Sequence, residues 1–286
     1  MPERFEVLEN TLLAEKVNRY RIYAPEIARR HKAGQFVILR LDENGERIPL
    51  TIADANFQEG SLTLVVQEVG KTTARMSQLK PGEKLLDLVG PLGAPTHIKR
   101  VGTVVMIGGG IGIAPIHPIA KAMREVGNRV VSILGARTKS LLIMEEEMQR
   151  ISDQVLICTD DGSYGQHGLV TDVLKGYIEK QGKPDLVVAI GPVVMMKFVS
   201  QLTKEQDIPT VVSLNPIMVD GTGMCGGCRV SVGGESKFAC VEGPEFDGHL
   251  VDFDELMMRQ AFYQNQEREC YDKFLCDSKQ NKNSIG

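Results

Sequence analysis

The chain lacks an excess of positive charge and a long apolar run, and no secretory leader is expected. Its 286 residues carry a net charge of -4, with a pI near 5.8, which leaves no electrostatic footprint for nucleic acid as a partner. A membrane span needs about 20 consecutive apolar residues. The longest candidate, 103–122, is interrupted by four glycines, two prolines, a His and a Lys, so no membrane contact is expected. Glu3, Arg4, Glu6 and Glu9 do not suit a signal peptide, and a cytoplasmic protein is expected. Internal repeats and long low-complexity tracts are also missing. So is a second Cys-x2-Cys pair: of the six cysteines, Cys158, Cys225, Cys228, Cys240, Cys270 and Cys276, only Cys225 and Cys228 have that spacing.

What is present is an ordinary globular balance, 42% hydrophobic and 24% charged, at a length that suits two domains better than one or three. The first part reads as short strands at 5–14, 17–24, 35–41, 48–53, 62–68 and 84–89, separated by turn signals such as Glu59-Gly60 and Pro81-Gly82. Strands at roughly ten-residue spacing suggest a small antiparallel barrel, with a helix at 71–79. After Arg100 apolar strands at 103–107, 130–134, 155–158, 186–190 and 210–214 alternate with helical stretches at 114–125, 141–150, 169–180 and 193–205. That alternation predicts a five-stranded parallel α/β sheet. The expected divisions are 1–98, 99–214, a Gly- and Cys-rich segment at 215–248, and a C-terminal helix and tail at 249–286. Asp252 with Glu255 three residues on suits a helix start. The end, from Lys273, is polar and expected to fray.

Three of the cysteines fall within sixteen residues, at the spacing Asp220-x4-Cys225-x2-Cys228-x11-Cys240. In a cytosolic chain such a group points to metal or redox chemistry before a disulfide. Plant-type [2Fe–2S] loops use Cys-x4-Cys-x2-Cys with a fourth Cys further on; here Asp220 holds the first position. Zinc sites usually add a second pair or a nearby His, and His249 lies nine residues past Cys240, so zinc is the weaker reading. An Asp before Gly is equally a turn residue, which leaves Asp220 open between ligand and turn former. Cys270 and Cys276 have no common ligand spacing. Cys158 ends a strand and reads as core.

Gly108, Gly109, Gly110 and Gly112 stand between a strand and a helix. They fail as a Rossmann fingerprint, because the third required position is Ile113 or Pro115. A glycine turn at a helix N-terminus still suits an anion, although a plain tight turn is the alternative. Three further loops, 135–137, 159–163 and 191–192, follow the ends of later strands. Ligands of an open parallel sheet bind along that edge.

Together these features resemble the ferredoxin–NADP reductase-like flavoproteins over nearly the whole chain. Arg47-Ile-Pro-Leu-Thr-Ile52 looks like the family's flavin motif, Gly70-Lys-Thr-Thr73 like its pyrophosphate loop, Gly90-Pro-Leu-Gly93 like its conserved turn. The run from Gly108 to Pro115 looks like its nucleotide motif, and Gly191-Pro192 with Met195 and Met196 like its late loop. The resemblance implies FAD and NAD(H) as cofactors. Arg47 would pair with the FAD pyrophosphate; Pro49, Leu50 and Thr51 would lie along the isoalloxazine; Gly70, Thr72 and Thr73 would hold phosphate or ribityl oxygens. The plainer alternatives are a solvated strand-end charge, strand packing and a helix N-cap. Gly108, Gly109, Gly110, Gly112, Arg137 and Gly191 would meet the nicotinamide nucleotide. Asp160 and Asp161 would repel a 2′-phosphate and accept from a ribose hydroxyl, which favours NADH. No catalytic acid or base is implied, since hydride transfer mainly needs stacking geometry.

A cluster segment after the nucleotide region is similar to the electron-transfer subunit of dihydroorotate dehydrogenase. Asp220 at the first ligand position is more like the small subunit of NADH-dependent reduced ferredoxin:NADP oxidoreductase. The resemblance implies Asp220, Cys225, Cys228 and Cys240 as ligands of a [2Fe–2S] cluster. It also implies a hetero-oligomer with a larger iron–sulfur flavoprotein similar to the glutamate synthase small subunit. A nicotinamide delivers two electrons together, a cluster carries one, and flavin handles both. The expected function is electron transfer between NAD(H), FAD and the cluster; a dihydroorotate dehydrogenase subunit and a non-catalytic redox sensor are the alternatives. Phe253, Leu256 and Met257 could anchor the partner, or could pack on their own domain.

Overall fold

The computed structural model describes residues 2–283, with side chains through 277. The first sheet contains β1 (Val7–Ala14), β2 (Val17–Tyr23), β3 (Phe36–Arg40), β4 (Ile48–Asn56), β5 (Ser61–Gln67) and β6 (Asp87–Leu92), with short helices α1 (Pro25–Arg30) and α2 (Lys71–Met76) between them. Neighbours in the order β1-β2-β5-β4-β3-β6 are antiparallel. A Glu6–Lys84 bridge and a Val7 N–H bond to the Glu83 carbonyl (2.8 Å) join the two edges. Closure removes the exposed edges. It also explains why β6 starts at Asp87 rather than 84: the preceding residues make the seam. Inward residues follow the period of two, as Tyr20 and Ile22 on β2 and Leu62 and Leu64 on β5 are all buried. Helix α2 stops at Met76, shorter than the expected 71–79, and α1 lies outside the sequence-based expectation.

The second sheet is built on β7 (Thr103–Gly109), β8 (Arg129–Ala136), β9 (Gln154–Thr159), β10 (Gln166–His167), β11 (Leu186–Ile190) and β12 (Thr210–Ser213). Helices α3 (Ile113–Glu125), α4 (Glu145–Ile151), α5 (Val170–Gln181) and α6 (Val193–Glu205) form the crossovers. A hairpin, β13 (Arg229–Val232) and β14 (Glu235–Phe238), and a short strand, β15 (Glu245–Asp247), follow. The order is β10-β9-β8-β7-β11-β12-β15, so the sheet has seven strands, not five. The additions are short edges: β10 pairs parallel to β9, and β15 antiparallel to β12. The chain reverses direction across the sheet between β7 and β11, which places a topological switch point, and so a binding crevice, at their C-terminal ends.

The parallel strands read as continuous apolar runs because both faces are covered. Val104 and Met106 pack with α3 and α4, whereas Val105 and Ile107 pack with α5 and α6. Residues Val17, Ala53 and Val65 of the first sheet join the α3 side of this core. Phe36 and Ile38 join the other side, together with Cys228, Val230 and Ala239. The barrel, the parallel sheet and the cluster segment therefore share packed interiors. Buried Asn128 ties the connection between the sheets, accepting from Val101 and Gly102 N–H and donating to the Lys99 and Met123 carbonyls.

Helix α7 (Phe253–Ala261) begins as expected: Asp252 Oδ1 accepts from Glu255 N–H at 2.9 Å. Phe253 and Leu256 are buried in the core of their own domain, and Met257 packs against it. The stripe is thus covered from within. The end from Lys273, expected to fray, continues instead as α8 (Gln264–Asn283). This helix returns to the barrel, where the Tyr271 hydroxyl donates to Glu68 Oε1 at 2.6 Å, beside α2. Among the described residues no helix is long and apolar enough to cross a membrane.

Candidate cofactor cleft and cluster loop

A cleft of about 950 Å³ lies between the two sheets at the switch point, a volume suited to a large cofactor. Its barrel wall includes Pro49, Leu50 and Thr51, with Thr73 nearby; its opposite wall includes Gly109, Gly110, Gly112, Arg137, Asp160 and Gly191. Residues from six sequence segments thus converge on one space. Gly112 is there because nothing larger fits: a Cβ would stand 2.1 Å from the Ile190 carbonyl oxygen. This close approach carries the chain from β7 into α3 directly beside β11. Met195 wedges between two of the turns, since a Cβ on Gly109 would meet its sulfur at 2.4 Å. Asp160 and Asp161 N–H bond to the Ala136 and Arg137 carbonyls, so the loops after β8 and β9 lie side by side.

Five of the sequence-derived residues do not line the cleft. Gly108 is packed against Ile113. Asp161 turns its carboxylate to the Ser163 N–H and hydroxyl, which hold it below the usual carboxylate range. The Thr72 hydroxyl donates to Glu46. Gly70 begins α2, where its N–H donates to the Thr73 hydroxyl at 3.0 Å. Arg47 Nε donates to the Val219 carbonyl at 2.8 Å. Conversely, Phe36, Met218, Asn215 and Pro244 line the cleft without belonging to any sequence motif. Cys158, read as core, is buried and also forms part of the wall; burial pushes its thiol up to about 11.

The cluster loop follows β12. Cys228 and Cys240 are buried, and their sulfurs stand 3.2 Å apart without a disulfide. Two thiolates on one tetrahedral metal stand about 3.8 Å apart, from metal–sulfur distances of about 2.3 Å, so little movement is needed to share an iron. Asp220 Oδ1 accepts from Thr222 N–H (2.8 Å) and Oδ2 from Cys225 N–H (2.9 Å), and these bonds hold its carboxyl below the usual range. Exposed Cys225 is thereby tied to Asp220 through its own backbone. Among the described residues no three Cys, His, Asp or Glu side chains surround one point; the donors stand as two pairs. Cys270 and Cys276 lie on α8, away from the loop sequence, and are exposed.

Residues 215–252 match the iron–sulfur cluster binding domain of dihydroorotate dehydrogenase B, and residues 106–201 the oxidoreductase NAD-binding domain. The chain is 51% identical over 270 residues to a dihydroorotate dehydrogenase B (NAD(+)) electron transfer subunit homolog of Thermotoga maritima, covering 94% of this chain and 95% of that protein. The chain belongs to the family of dihydroorotate dehydrogenase B electron-transfer subunits and their homologues. Within it, the electron transfer subunit from Geobacillus thermodenitrificans is 33% identical over 254 residues, covering 85% of this chain and 96% of that one. A chain of the NADH-dependent reduced ferredoxin–NADP oxidoreductase structure superimposes with a TM-score of 0.92 at 49% identity, covering 96% of this chain and 99% of its own. The ferredoxin reductase-like resemblance of the sequence is therefore correct, and iron–sulfur and NAD(H) binding belong to the family's matched domains.

Proposed function

We propose that this chain is the electron-transfer subunit of an NADH-dependent reduced ferredoxin:NADP oxidoreductase, carrying electrons between NAD(H), FAD and a [2Fe–2S] cluster to a larger iron–sulfur flavoprotein. The carrying observation is the convergence of the strand at 48–51 and the glycine turns on one cleft, with the cluster segment hydrogen-bonded to Arg47 just before that same strand. FAD, when bound, exchanges electron pairs with a nicotinamide and single electrons with a cluster.

The chain's own residues supply position. Pro49, Leu50 and Thr51 offer an extended backbone and an apolar wall for a flat ring. Gly110 leaves open space before α3, so N–H groups at the helix start can approach a pyrophosphate. Asp160, which lines the cleft together with Arg137, would accept from a 2′-hydroxyl and repel a 2′-phosphate. The pairing of Asp220 with Cys225, and of Cys228 with Cys240, suits a two-iron cluster better than a single tetrahedral ion.

Chemical analysis of the purified chain tests this reading. It should contain FAD with iron and sulfide in equal amounts, and NADH should bleach the flavin. Stoichiometric zinc with no sulfide would overturn it. The match of residues 215–252 favours a second reading, a subunit of NAD-dependent dihydroorotate dehydrogenase. Co-purification separates the two, the first requiring a large flavoprotein with further clusters and the second a dihydroorotate-oxidising subunit.

A further inference from the structure

Arg47 immediately precedes β4, the strand that faces the cleft, yet its guanidinium Nε is spent on the cluster segment. It donates to the carbonyl of Val219, the residue before Asp220, across 172 positions of sequence. Such a bond from a charged donor is strong and directional. A second contact lies beside it. Gly221 has φ +78° and rests so closely on the barrel that a Cβ would stand 2.6 Å from Leu92 Cδ1 and 2.9 Å from Ile38 Cγ1. Ile38 is buried and is the cross-strand partner of Pro49. Between these contacts Asp220 accepts from the Thr222 and Cys225 N–H groups. The loop carrying two candidate iron ligands is thus held to the barrel at two points, at Arg47 just before the strand that would carry the flavin and at its neighbours Ile38 on β3 and Leu92 on β6.

We propose that Arg47 is a positioning residue that clamps the cluster loop to the flavin-facing strand, so that the Arg47–Val219 bond and the Gly221–Ile38 contact set the separation of the two redox centres. This rests on the reading of the cleft as the FAD site and of the 220–240 segment as the cluster site. The transfer concerned moves one electron from one centre to the other. Arg47 takes neither electron nor proton, and no bond is made or broken. Its effect is on distance alone: electron transfer between centres held in protein weakens steadily as their separation grows, so a loosened loop slows it.

The test uses the full chain purified with its cofactors, as wild type, Arg47→Ala, Arg47→Lys and Gly221→Ala. FAD, iron and sulfide are assayed first; a wild type lacking FAD or cluster would overturn the proposed function and this inference with it. Amide exchange at Thr222 and Cys225 is then measured, followed by the rate of cluster reduction relative to flavin bleaching by NADH. In Arg47→Ala and Gly221→Ala, exchange should quicken and cluster reduction should lag severalfold behind flavin bleaching. Arg47→Lys should recover most of the lag, because an ammonium can reach the same carbonyl. Unchanged exchange and an unchanged lag in Arg47→Ala would overturn the clamp. Loss of FAD from Arg47→Ala with wild-type exchange in the loop would also overturn it, leaving Arg47 as a pyrophosphate ligand only. Gly221→Ala, which does not line the cleft, must show the lag while retaining FAD.

Discussion

Glu245 offers a sharp test of how the three parts of the molecule are joined. It lies on β15, where the Thr96 hydroxyl donates to its Oε1, and it is pressed against the turn at Gly34. Burial pushes its carboxyl up to about 7 from 4.5, and the Thr96 hydrogen bond offsets this only in part. The folded state therefore binds this proton more tightly than the unfolded chain. The stabilisation is fully present below about pH 4.5 and is lost as pH rises through about 7. Carrying a carboxyl across that interval is worth about 3 kcal/mol, a large share of a typical domain's stability of about 5–15 kcal/mol. Glu245→Gln keeps the shape and stays neutral, so it removes the pH-dependent term. Urea unfolding of wild type and variant, compared at each pH, cancels contributions common to both. The variant should gain stability steadily between pH 4.5 and 8, approaching about 3 kcal/mol over wild type at the upper end. Thr96→Val should move the wild-type loss to higher pH, since it removes the group that lowers the carboxyl's pKa. A Gln–Glu difference that is flat with pH would refute the argument.

Cys228→Ser and Cys240→Ser should abolish bound iron and sulfide, whereas Cys270→Ser and Cys276→Ser should leave both at wild-type levels by chemical assay. Asp220→Asn should shift the EPR g-values of the reduced cluster, because a carboxylate with both oxygens already on N–H groups still has lone pairs for iron; an unaltered spectrum would leave Asp220 as a turn former. Asp160→Ser should narrow the preference of flavin bleaching for NADH over NADPH at least tenfold, about 1.4 kcal/mol, while Asp161→Ser, turned to Ser163, should change it little. Leu256→Ala should cost about 2–5 kcal/mol in urea unfolding through its buried contacts, without weakening partner binding in a pull-down of the folded variant.

The strands that were legible in the sequence are those whose burial is periodic or continuous. Tyr20 and Ile22 mark β2, and the apolar runs of β7 and β11 mark a sheet covered on both faces. β15 carried no such signal. It is three residues long, begins with a carboxylate, and finds β12 only after the cluster hairpin has intervened. The helix at Asp252 was legible from its cap. Its apolar stripe was not decisive, because periodicity identifies a face and says nothing about what covers it. Here the cover is the α6 side of the parallel-sheet core. Helix α8 was obscured by its polar composition; it reaches the barrel beside α2, where the Tyr271 hydroxyl donates to Glu68 across 203 positions of sequence.

The site divides along the same physical line. Glycine turns are readable because a tight backbone approach excludes every side chain, as at Gly112 against Ile190. The cysteine group is readable because Cys225, Cys228 and Cys240 stand at a spacing that a compact cluster would set. The Phe36, Met218 and Pro244 walls of the cleft are ordinary apolar residues with no local rule to mark them. Thr72 and Thr73 stand at a legible motif position, and each hydroxyl is engaged within the protein, on Glu46 and on the Val69 and Gly70 N–H groups. Arg47 combines both cases. Its type and place were legible, but its partner was not, because the Val219 carbonyl presents no side-chain chemistry for a sequence to display. What a motif specifies is the chemistry available at a position; which group receives it is decided by the packing of segments that the sequence keeps far apart.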